Sequence, residues 1–150
     1  MAANPLKYVK GVLKFVIDRR GFDQVLEKLQ IVSAGQGKCV AEMMVEKQHT
    51  NRGNTLHGGM TDALVDGVST LALMSHEKGT PGISIGIQVQ YLGAAKVGDK
   101  LVIDAETKKM GKSLAFMDVQ ITNTSTGSLI ALGSHTMLVG ENFGDFKYEK

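Results

Sequence analysis

Tryptophan is absent from this 150-residue chain, aromatic residues make up only 5% of it, and it holds a single cysteine. So few aromatics leave little on which nucleic-acid bases could stack, and a formal charge of +2 is too small for a phosphate-binding footprint. Nucleic-acid binding is therefore set aside. Cys39 cannot close an internal disulfide, and its place in the alternating run KCVAEMMVE suits a half-buried strand position in a reducing compartment. No apolar run approaches the ~20 residues that span a bilayer. His49, His57, His76 and His135 lack zinc-like spacing with one another or with Cys39, so no metal is expected. What remains is an ordinary globular composition, 43% hydrophobic and 21% charged, at a length that fits one domain. That domain is expected over residues 1–140, with the polar stretch 141–150 (ENFGDFKYEK) as a tail.

Basic residues crowd the N-terminus at Lys7, Lys10, Lys14, Arg19 and Arg20, with no acid before Asp18. Apolar residues recur there at helical spacing: Leu6, Val9, Val12, Leu13, Val16 and Ile17. A mitochondrial presequence or a membrane-surface helix would read this way. The stripe continues through Phe22, Val25 and Leu26, however, and the reading taken here is a first helix packed on the body of the protein.

Beyond it, residues 29–34 and 38–46 predict two strands about the turn Gly35-Gln36-Gly37. From Gly58 to about Lys78 the pattern is helical and apolar on nearly every side, the mark of a buried helix. Residues 83–91, 101–106, 113–122 and 128–138 then predict strands, the last three joined by short turns at Met110-Gly111-Lys112 and Ser125-Thr126-Gly127. Turns so short make an antiparallel meander. The fold class is therefore α+β: five or six antiparallel strands curving around one central buried helix, with an N-terminal helix.

Chemistry concentrates between Asn51 and Asp66. Gly58 and Gly59 stand where the helix begins, so their backbone amides are unpaired and open to a developing negative charge. Asp66 is a carboxylate among Ala63, Leu64, Val65 and Val68, where desolvation strengthens a base. Asp62 lies one turn earlier on the same face. Eight residues of helix separate Gly58 from Asp66, about 12 Å along the axis. One small reacting group cannot touch both, which predicts a homodimer whose two sites each take an amide from one subunit and a carboxylate from the other.

Two motifs mislead. Gly82-Ile83-Ser84-Ile85-Gly86 matches the nucleophile-elbow pattern, but Ser84 lies within a two-residue alternation that runs on to Tyr91 with no helix after it. It is read instead as a hydroxyl able to bond a water or a carboxylate. Gly111-Lys112-Ser113 resembles the end of a phosphate-binding loop, yet Glu106 stands where that loop needs glycine and a strand follows. Lys108, Lys109 and Lys112 still cluster at a hairpin turn, where they could cradle the phosphates of a nucleotide-bearing ligand.

Taken together, HTN (49–51), TLHGG (55–59), LVD (64–66), ST (69–70), LAF (114–116) and TG (126–127) make the chain resemble the hotdog-fold thioesterases, from about Gly11 to Gly140. The resemblance implies hydrolysis of fatty acyl-CoA, with Asn51 and Gly58 polarising the thioester carbonyl. It also implies Asp66 of the neighbouring subunit, helped by Ser84, activating water, and His57 beside the glycines at the site. Whether Asp66 acts as general base or attacks directly stays open. The CoA portion of the substrate is expected near Tyr91, Lys109, Gly111, Lys112 and Ser113, with no separate cofactor. A homotetramer built as a dimer of dimers is implied, in cytoplasm or mitochondrion. The alternatives are a hydratase or dehydratase on acyl-CoA, pairing His57 with a carboxylate, and a non-catalytic acyl-CoA-binding regulatory module.

Overall fold

The structure, a computed structural model, describes residues 3–140. The 141–150 tail lies outside the described residues. Helix α1 spans Pro5–Asp18, with the Asn4 side chain accepting from Lys7 N–H at 3.0 Å and Pro5 in the first turn, where its missing N–H costs nothing. Its stripe of Val9, Val12 and Leu13 is buried in the core, so the helix is part of the body of the protein. It does not continue as the apolar pattern suggested. Arg20 turns left-handed (φ 59°), and Phe22–Leu26 forms a separate 3-10 turn that buries Leu26 and leaves Phe22 75% exposed.

Six strands follow: β1 (Gln30–Gly35), β2 (Lys38–Met44), β3 (Ile83–Tyr91), β4 (Lys100–Met110), β5 (Leu114–Asn123) and β6 (Ser128–Leu138). They form one antiparallel sheet in the order β1-β2-β4-β5-β6-β3. The β1–β2 hairpin turns through Gln36 (φ 53°) and Gly37 (φ 79°), the left-handed pair that a tight two-residue turn requires. As expected, β4, β5 and β6 make a meander.

Helix α2 (Gly58–Met74) is the hub, in contact with every strand of the sheet, which wraps around it. It packs so closely on β6 that a Cβ on Gly133 would stand 2.7 Å from Val65 Cγ1. Two details differ from the sequence reading. The helix ends at Met74 rather than near Lys78, because the chain folds back so tightly at Gly79 that a Cβ there would meet the Leu73 carbonyl at 2.2 Å. Nor is it apolar all round: Gly59, Asp62, Asp66 and Thr70 form a stripe that remains partly open to solvent.

Candidate active site

The loop before α2 is held by Asn51. Its Oδ1 accepts from Gly53 N–H (2.9 Å) and Thr55 N–H (3.2 Å), which fixes the amide orientation. Its Nδ2 donates to Thr55 Oγ1 at 3.0 Å and keeps a second hydrogen for a ligand. His57 is the N-cap of α2: its Nδ1 accepts from Gly59 N–H at 2.8 Å, and its backbone N–H donates to the His49 carbonyl. The ring is thus tied to the helix entry through Nδ1, and its Nε2 has no partner among the described residues. Gly58 is the first residue of α2, and its N–H has no acceptor among the described residues. The Tyr91 ring lies beside it, with Cε1 3.5 Å from where a Gly58 Cβ would be.

Two turns along, Asp66 meets a histidine that the sequence reading left without a role. His135 is 1% exposed and faces α2 from β6. Its Nδ1 lies 2.7 Å from Ser69 Oγ and its Nε2 2.8 Å from Ser84 Oγ. Asp66 Oδ1 is 3.8 Å from the same Nε2. That spacing would count as an ion pair only with a charged ring, and burial pushes the His135 pKa down to about 4. The imidazole is therefore neutral at physiological pH, and at 3.8 Å the contact is too long for a hydrogen bond. Burial first, and the Asp23 charge second, hold the Asp66 carboxyl above the usual carboxylate range. Its side chain is nonetheless 51% exposed in the single chain, so it is less deeply buried than the surrounding sequence suggested.

Ser84 reaches His135 because of a bulge. Strict alternation would place Ser84 with Gly86, Gln88 and Gln90 on the outer face of the sheet. The register skips between Ser84 and Gly86, leaving Ile85 as an extra residue. Ser84 then stands opposite Met137 and shares the inner face with Ile87, opposite His135. It lies inside an extended strand, as the rejection of the elbow motif required.

The residues implicated in holding CoA divide into two groups. Tyr91 ends β3 beside Gly58, in a concavity of about 240 Å³ shared with Leu56 and Thr61. Gly111 and Lys112 line another of about 500 Å³ with Lys78 and Thr80, at the β4–β5 turn. Ser113 is exposed and anchors the turn by accepting from Val139 N–H at 2.8 Å, whereas Lys109 is exposed on β4 just before it. The pairing places Tyr91 opposite Ala131 but Ser84 opposite Met137, so the two groups occupy opposite ends of the sheet. Within one chain Tyr91 and Ser84 are roughly 20 Å apart at the usual strand rise.

A family model, the thioesterase superfamily, matches residues 53–130, which contain Gly58, Asp66, Ser84 and Tyr91. The chain belongs to the thioesterase superfamily. It is 49% identical to acyl-coenzyme A thioesterase 13 of Mus musculus over 132 residues, 88% of this chain and 94% of that one. Its fold matches the crystal structure of zebrafish thioesterase superfamily member 2 with a TM-score of 0.86 and 50% identity, covering 90% of this chain and 98% of the other. A hypothetical thioesterase of Streptococcus pneumoniae, solved with coenzyme A, aligns with a TM-score of 0.73 and 29% identity over 79% of this chain and 91% of its own. The hotdog architecture and the hydrolase class expected from the sequence both hold. Ser69 and His135 are the residues the sequence reading missed. The available signal was His135 itself, a titratable residue on the β6 face that carries Ala131 and Met137.

Proposed function

We propose that this protein hydrolyses fatty acyl-CoA to fatty acid and CoA at sites shared between two subunits. The observation that carries this reading is the unpaired Gly58 amide on one end of α2, with the Asp66, Ser84 and His135 cluster beyond reach of it on the same chain. Two further features support the dimer. Strand β3 lies at the edge of the sheet, and Ile83, Ile85 and Ile87 on it are exposed. A bare apolar edge of this kind is a template for pairing with another strand. Antiparallel pairing of two β3 edges about a two-fold axis would bring Tyr91 and Gly58 of one subunit towards Ser84, Asp66 and the Lys112 turn of the other. The separated halves of the CoA-binding group would then meet in one cleft. A dimer of dimers adds nothing that the chemistry needs.

In the reaction, Gly58 N–H and the spare Asn51 Nδ2 hydrogen hold the thioester carbonyl oxygen. Water attacks the carbonyl carbon while Asp66 takes its proton, and the oxyanion rests on those donors. Collapse breaks the C–S bond, and Asp66 returns the proton to the departing thiolate. The serines set the direction of the water. Ser69 Oγ can donate its one hydrogen to the Asp66 carbonyl at 3.1 Å; in the tautomer that goes with this arrangement, His135 Nδ1–H donates to Ser69 and Nε2 accepts from Ser84. With its hydrogen so committed, Ser84 offers the water only lone pairs. A water donating to both Ser84 Oγ and Asp66 would point its own lone pair at the carbonyl carbon. Direct attack by Asp66 would release the thiol and leave a mixed anhydride whose hydrolysis needs a water at the same place, so the serines serve either route.

The hydratase reading needs a histidine free to shuttle protons. His57 keeps its Nε2 free, but among the described residues no histidine ring is hydrogen-bonded to a carboxylate, the pairing that reading requires. Free thiol release should be measured across acyl-CoA chain lengths: turnover is expected, whereas binding without release would support the regulatory module, and hydration of an enoyl-CoA the hydratase. A phosphonate should leave Ser84 unlabelled. Among the described residues no helix is long and apolar enough to cross a membrane. Because α1 belongs to the core, we read it as part of the folded protein rather than as a presequence.

A further inference from the structure

Asp62 is bonded to Tyr91, a residue that lines the Gly58 concavity. Its Oδ1 accepts a hydrogen bond from the Tyr91 hydroxyl at 2.5 Å. The two residues come from different elements, α2 and the far end of β3, and the Tyr91 ring between them forms a wall of the cavity shared with Gly58, Thr61 and Ile130. Tyr91 is otherwise 56% exposed at a strand end, where an unbonded phenol would sample several rotamers. We propose that Asp62 is a positioning residue, a latch that holds the Tyr91 ring beside Gly58 and so fixes the width of the opening through which the thioester enters.

The latch also decides what Tyr91 presents. With its hydroxyl hydrogen given to Asp62, it offers substrate a ring face and edge rather than a donor. Such a surface fits the apolar and amide portions of an acyl thioester's arm better than its phosphates. The same bond, ahead of burial and of the Asp62 charge, holds the Tyr91 phenol above its ordinary pKa, because ionising the phenol removes the hydrogen that makes the bond. The consequence for catalysis rests on the proposed role of Gly58. The bond itself does not.

Two readouts separate these. Tyrosine absorbance titration, with Tyr91→Phe used to assign the signal, should show the Tyr91 phenol titrating at a lower pH in Asp62→Ala than in the unaltered protein. An identical titration in both would overturn the latch. In steady-state hydrolysis of an acyl-CoA, Asp62→Ala should raise KM about five-fold with kcat nearly unchanged, the worth of one ordinary hydrogen bond. Asp62→Asn, which keeps an acceptor oxygen, should recover most of that loss. The double variant Asp62→Ala/Tyr91→Phe should be no worse than Tyr91→Phe alone, as expected of groups acting through one contact. Multiplying effects, or a fall in kcat without a change in KM, would contradict the proposal. If the unaltered protein released no thiol at all, the proposed function would fall, and the titration would still decide the latch.

Discussion

Replacing Asp66 by Asn should lower kcat about a thousand-fold, the usual contribution of a positioned general base, with KM little changed. Asparagine fills the same space but cannot take the proton from water. The pH profile identifies the group. Because the Asp66 carboxyl is held above its ordinary 3.8, mainly by desolvation, kcat/KM should fall on the acid side through that raised value as the base becomes protonated. Asp66→Asn should abolish that limb in what activity remains. Loss of folding is not an escape from this test. A carboxyl whose pKa is raised in the folded state adds stability below its unfolded pKa and loses it as pH rises through the folded value. At neutral pH the ionised form therefore works against the fold, and the Asn variant should melt no lower than the original. An unchanged kcat would remove Asp66 from the mechanism.

Gly58→Pro should cost a further large factor, about 10²–10³ in kcat, by deleting a single hydrogen-bond donor. A backbone amide is ordinarily beyond the reach of substitution. Here the geometry permits it. Gly58 is the first residue of α2, where proline is well tolerated because no intrahelical bond is lost. The preceding His57 sits at φ −66° and ψ 135°, the extended conformation that a following proline demands. A new Cβ would meet Tyr91 at 3.5 Å, an ordinary contact. Gly58→Ala adds the same Cβ and keeps the N–H, so it should retain most of the activity. Equal losses in the two variants would mean that crowding against Tyr91, rather than the missing donor, is responsible.

How far the sequence alone could go is visible in these residues. The central helix was legible because its apolar run is long and unbroken, and the meander because its turns are too short for anything else. Gly58 was legible because a helix entry announces its own free amides. What escaped depends on partners distant along the chain. Ser69 and His135 are 66 residues apart, and nothing local links them. The inward turn of Ser84 depends on a bulge that periodicity cannot register, since one extra residue reverses every face after it. The exposure of Asp66 was misjudged for a similar reason: a helix enclosed by apolar residues can still leave one narrow stripe uncovered. Asp62 drew attention through its charge, but its bond to Tyr91 required the curvature of the whole sheet.

The central claim is that each site draws its oxyanion donor and its base from different chains, and complementation tests it most directly. Gly58→Pro and Asp66→Asn chains, each nearly inactive alone, are refolded together in equal amounts. If the donor and the base of a site come from two subunits, random pairing gives about a quarter of all sites an intact Gly58 and an intact Asp66, and about a quarter of the original turnover should return. If one chain supplies both, every site carries a defect, and the mixture would stay at the level of its parents.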